Sequence, residues 1–151
     1  MILQVAEILK EEFELLKADL IKRHNELGMK ASGEWERSLE VTATSNKAVL
    51  TGLKYSEQLE FGRRAGKQPP SKAIEQWIKD KGIQSKISVT SLAFLIARKI
   101  AREGWKRERF GGVELISQVV TPQRIQSIID KVSGSYIPII EKEIKLMYQE
   151  V

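Results

Sequence analysis

The sequence contains no cysteine. Disulfide stapling and thiolate metal sites are therefore excluded, and the fold must rest on its core and hydrogen bonds. It has a single histidine, His24, and three aspartates, Asp19, Asp80 and Asp130, scattered over three segments. Lys22, Arg23 and Asn25 surround His24, so a metal ligand or general base there has no support from its neighbours. We expect a solvent-facing imidazole near a helix C-terminus. No apolar run approaches the ~20 residues of a membrane span, and the early acids Glu7, Glu11 and Glu12 are unlike a signal peptide. The stretch Gly62-Arg63-Arg64-Ala65-Gly66-Lys67 has the wrong spacing for a phosphate loop, and no Ser or Thr follows its lysine. These absences argue for a chain without catalysis, metal or cofactor.

What is present is enough for one domain: 151 residues, 42% hydrophobic and 30% charged. The net charge of +5 is uneven. Between Lys54 and Arg109 stand 14 Lys or Arg against 6 Asp or Glu, a balance of +8 that leaves −3 elsewhere. A basic middle section suits nucleic acid or an acidic partner, and equally a solvated surface of mixed pairs.

Periodicity predicts an α+β, mostly helical fold over a single domain, 1–151. Ile2, Ala6, Leu9, Phe13, Leu16 and Leu20, continued by Leu27, place one apolar face on a long helix over 1–29, with Gly28 as its stop. Over 32–54 a β-hairpin is expected. Trp35, Arg37, Leu39, Val41 and Ala43 alternate with polar residues, Thr44-Ser45-Asn46 makes the turn, and Lys47 to Leu53 returns. The section 55–104 reads as short helices. One turn ends at Gly62, and a proline-bounded loop follows. A helix capped by Ser71 turns Ala73, Ile74, Trp77 and Ile78 inward and stops at Gly82. Then comes an apolar helix from Leu92 to Glu103, capped by Thr90 or Ser91 and closed by Gly104. Leu92, Leu95, Ile96, Ala97 and Ile100 mark it as the central element. Over 113–151 we expect a strand from Val113 to Val120, then a helix opened by Thr121-Pro122. Ile125, Ile129, Val132, Tyr136, Ile140, Ile144 and Met147 follow at helical spacing, with a kink or break at Gly134 and Pro138. A helix-turn-helix reading of the two middle helices fails, because their connection is far longer than three or four residues.

Within 55–104 the sequence resembles the small tail-component family of long-tailed bacteriophages, the tail-completion or neck proteins. The resemblance rests on Tyr55-Ser56-Glu57-Gln58-Leu59-Glu60-Phe61-Gly62-Arg63 and Gly66-Lys67-Gln68-Pro69-Pro70. It continues through Ala73 to Lys79, including Trp77, then Lys81-Gly82-Ile83, and ends with Leu92 to Gly104, including Ala97 and Ile100. These blocks cover about a third of the chain in the family's order. After Gly104 the sequence departs: Trp105-Lys106-Arg107-Glu108-Arg109-Phe110-Gly111-Gly112 stands where many relatives have a Gly- and Pro-rich stretch.

The resemblance implies a structural virion subunit, made in the bacterial host cytoplasm and resident in the neck or tail region. It implies a homo-oligomeric ring, commonly sixfold, between a head-side connector or head-closure protein and a tail terminator or tail tube, through which DNA passes. Arg63, Arg64 and Lys67, with Lys106, Arg107 and Arg109 as a second set, are candidates to face DNA in the lumen non-specifically. They are equally candidates to pair with carboxylates on an adjacent subunit. A tail terminator, a head-closure protein, or a basic nucleic-acid-binding accessory protein are the competing readings. No membrane contact is expected.

Overall fold

A computed structural model describes residues 2–106, 112 and 114–149. Its elements run α1 (Ile2–Glu26), α2 (Glu34–Ser38), β1 (Glu40–Ala43), β2 (Ala48–Thr51), α3 (Ser56–Phe61), α4 (Ser71–Lys81), α5 (Val89–Glu103), α6 (Leu115–Val119) and α7 (Pro122–Gln149). The α+β, mostly helical architecture read from the sequence is the one observed: a long first helix, a two-stranded antiparallel sheet, short central helices and a C-terminal helix.

α1 organises the body. Its buried positions are Val5, Glu12, Leu16, Leu20 and His24, spaced by four or seven, so one stripe runs the length of the helix. The stripe is rotated from the expected one, since Leu9 and Phe13 are only half-buried. At its end the Met29 amide donates to the His24 carbonyl and the Gly28 amide to that of Asn25, with Gly28 at φ 68°. That pair of bonds satisfies the last carbonyls and needs the left-handed conformation glycine adopts freely.

The hairpin is shorter than the alternation predicts. Residues 34–38 form the helical turn α2, and strand pairing starts only at Glu40. Trp35 and Leu39 are four apart, and both are buried in the main core, which one helical turn achieves and an extended strand does not. The Trp35 indole donates to Ser56 Oγ at 2.8 Å, and Ser38 Oγ donates to the Trp35 carbonyl at 2.6 Å. β1 and β2 then pair antiparallel in register Glu40↔Thr51, Val41↔Leu50, Thr42↔Val49 and Ala43↔Ala48, and the sheet lies on α1.

The strand expected over 113–120 is instead the helix α6, with Val113 outside the described residues. Its apolar residues Leu115, Ile116 and Val119 all face the main core. The buried Glu60 carboxylate supplies what β-favouring side chains do not, an acceptor for the free amides of the first turn. Ile116 N donates to it at 2.6 Å, Ser117 N at 3.2 Å, and Ser117 Oγ also donates to it.

Two cores result. Leu20, Met29, Trp35, Leu39, Leu59 and Leu115 form the main one, while Ile74, Ile78, Ala93 and Ala97 form a second between α4 and α5. α5 is therefore not the central element expected from its composition. It packs on α4 through Ala93 and Ala97, and Leu95 faces outward. Ala73, expected inward, is exposed, whereas Trp77 packs against the second core. The caps differ as well. Pro70, not Ser71, precedes α4, and Ser88 caps α5 by accepting from the Ser91 amide. Gly82 at φ 66° and Gly104 do close their helices, and Thr121 Oγ1 accepts from Arg124 N at the start of α7. α7 continues through Gly134 and Pro138 without a break. Both residues are exposed, so water can reach the carbonyl that Pro138 leaves without its amide partner.

Candidate assembly surfaces

The basic loop is held by backbone, not by its charges. Arg63 and Trp105 exchange backbone hydrogen bonds at 2.8 Å, and Gly66 N donates to Ala101 O. This crossing demands glycine on both strands: a Cβ at Gly62 would strike the Trp105 carbonyl oxygen, and one at Gly104 the Arg63 carbonyl oxygen. Both sit at positive φ, 77° and 66°. The Arg63 guanidinium lies 5.7 Å from the Trp105 ring centroid and donates to the Lys67 carbonyl at 2.9 Å. The structure thus gathers Arg63, Arg64 and Lys67 with Lys106, the last three exposed; Arg107 and Arg109 lie outside the described residues.

Other residues singled out in the sequence prove to be scaffold. Leu59 is buried in the main core, Glu60 clamps α6, and Pro69 is buried where the loop enters α4. Ala97 and Ile100 hold α5 to α4. Phe61 and Tyr55 are different. They are exposed although apolar; the partial burial that Tyr55 does have raises its phenol pKa, with Glu34 adding to the effect.

His24 corrects the solvent-facing expectation. It is 4% exposed and stacks on Trp35 with ring centroids 4.4 Å apart. Its Nδ1 sits 3.8 Å from Glu36 Oε1, and neither atom has a hydrogen-bond partner. Burial lowers its pKa below the ordinary 6.5; Glu36 opposes this, and Lys81 and Lys30 reinforce it. No charge pattern in the local sequence marks this residue, because Trp35 and Glu36 arrive from another element.

Among the described residues no group of three or more His, Cys, Asp or Glu is placed to hold a metal ion, and no helix is long and apolar enough to cross a membrane.

Uncovered apolar surface is what the molecule offers. A half-open groove of about 620 Å³ lies between α1, the sheet and the first half of α7, with Phe13, Val49, Ile116, Ile125 and Ile129 among its walls. Farther along α7, Ile137, Ile140, Ile144, Met147 and Tyr148 are exposed, Tyr148 by 80%. On α5, Phe94 and Leu95 are exposed by 51% and 52%. Reading Ile125 to Met147 as one stripe hid this division of α7. The 3-4-3 spacing of Ile137, Ile140, Ile144 and Met147 was the available signal. Comparison with family models, curated proteins and solved structures returned no significant match for this chain.

Proposed function

We propose that this chain is a structural subunit of a tailed phage particle, a neck or tail-completion protein that assembles as a ring around the path of the DNA. The observation that carries this reading is the apolar surface left bare at distinct places on one small chain: the distal half of α7, the outer side of α5, and Phe61. A subunit with several such surfaces fits assembly with neighbours, which would cover them. The resemblance of residues 55–104 to tail-completion proteins supports the same reading. So does the two-stranded sheet, whose edges further strands could extend.

In this role the loop of Arg63, Arg64 and Lys67, with Lys106 beside it, faces either the DNA or carboxylates of a neighbouring subunit. The connector or head-closure protein and the tail terminator or tail tube are the proposed neighbours above and below. Catalysis has no part in this role, and a tail terminator or head-closure protein would present similar features. The exposed basic loop favours a second reading, a nucleic-acid-binding accessory protein.

Light scattering and negative-stain images of the purified protein, alone and mixed with its genomic neighbours, separate them. A ring of discrete mass with a central channel is expected. A monomer or dimer that ignores those neighbours, yet binds DNA with a steep salt dependence, contradicts the neck reading and establishes the second.

A further inference from the structure

Charged groups from four segments meet at the end of α1, and two of their buried atoms face each other without a bond. His24 stands on α1, Lys30 on the turn after it, Glu36 on α2 and Lys81 at the end of α4. Lys30 Nζ donates to Glu36 Oε2 at 3.1 Å, which leaves Oε1 facing His24 Nδ1 at 3.8 Å. Both of these last atoms are buried and lack a hydrogen-bond partner among the described residues. Lys81 Nζ donates to a neutral acceptor, the Gly28 carbonyl. On α1 itself, Lys22 and Arg23 are turned to Glu26.

Lys81 also ties α4 to the body. α4 and α5 pack broadly on each other and on no other element. Beyond the last residue of α5, the Arg63–Trp105 crossing and the Gly66–Ala101 bond attach the pair to the basic loop. The two helices therefore form an arm with a backbone crossing at one end and the lysine tie at the end of α4.

Proton uptake on His24 acts on this arrangement in one direction. The charged ring carries an N–H at both nitrogens, so Nδ1 becomes a donor beside the free oxygen of Glu36. A third positive charge then joins Lys30 and Lys81 around one carboxylate. Lys30 keeps Oε2 as its acceptor, whereas Lys81 has a neutral carbonyl to give up. Burial holds the imidazole neutral at neutral pH, so this change belongs to acid conditions.

We propose that His24 is a pH-operated latch: taking up a proton closes its contact with Glu36, expels Lys81 from the Gly28 carbonyl and frees α4 and α5 to pivot on the Arg63–Trp105 crossing. The motion shifts the outer side of α5, with Phe94 and Leu95, relative to α1. It stands independently of the assembly reading above.

The cysteine-free chain allows a direct distance measurement. Ala18→Cys on α1 and Ala73→Cys on α4, both at exposed positions, would carry spin labels in the full chain. Dilution into unlabelled protein restricts pulsed electron paramagnetic resonance to distances within one chain. A narrow distribution is expected at about pH 7.5 and one roughly twofold broader at about pH 5, with helicity by circular dichroism unchanged. His24→Gln should keep the narrow distribution at both pH values, and Lys81→Met should give the broad one at both. Lys81 is partly exposed, so its variant decides the question even where His24→Gln fails to fold. A distribution that ignores pH in the labelled parent, acid broadening that persists in His24→Gln, or a narrow distribution in Lys81→Met overturns the latch.

Discussion

The two longest helices of this protein treat their apolar residues in opposite ways. α1 buries one stripe from Val5 to His24, and the main core and the sheet gather along it. α7 is three residues longer, yet among its described side chains Ile128 is the one that is buried, and most of its second half is exposed. Apolar spacing is therefore not a sufficient sign of a folding core. In α1 it builds the monomer; in distal α7 it leaves apolar surface exposed.

The largest effect should come from cutting into the α1 side. Leu20→Ala should cost about 2–5 kcal/mol, because it leaves a cavity beneath Trp35 and Leu39 that the body can only partly close. Denaturant unfolding measures it, and a cost under about 1 kcal/mol would mean that α1 does not centre the fold. Gly104→Ala follows, with about 1–3 kcal/mol or more from a positive φ and a collision with the Arg63 carbonyl. The same unfolding experiment reads this loss. Trimming the α7 side should do the reverse. Ile144→Ala should leave monomer stability within about 0.5 kcal/mol, measured at high dilution, while weakening assembly measured by sedimentation. Equal losses of monomer stability for Leu20→Ala and Ile144→Ala would erase the contrast between the helices.

His24 sharpens the comparison through pH. Its folded pKa lies below the ordinary 6.5, so its neutral form favours the folded state. The stability this contributes is complete above about pH 6.5 and is lost as pH falls through the depressed folded value. His24→Phe keeps an aromatic ring on Trp35 and should flatten the thermal midpoint across that acid window. An undiminished acid loss in this variant would assign it to other groups.

Local punctuation was legible in the sequence. Gly28, Gly82 and Gly104 end their helices, and Thr121-Pro122 opens α7, since these residues act through their own backbone or nearest amides. The misreadings have a shared cause, contacts between distant segments. Trp35 forms a helical turn rather than a strand because His24 and Ser56 receive its ring. Residues 115–119 coil because Glu60, more than fifty positions earlier, accepts their first amides. The exposed apolar surface of α7 was half legible: its side chains stood in the periodic pattern, but the ion pairs to α1 fix which side of α7 is inward.

The central claim is that α1 holds the monomer together while distal α7 leaves apolar surface for other chains to cover. It is tested most directly by the mass of the full chain carrying Ile140→Asp and Ile144→Asp, set beside wild type in sedimentation. The account predicts that wild type associates and that the variant sediments as a monomer with unchanged helicity by circular dichroism. A variant that associates as wild type does, or one that loses its helicity, would contradict it.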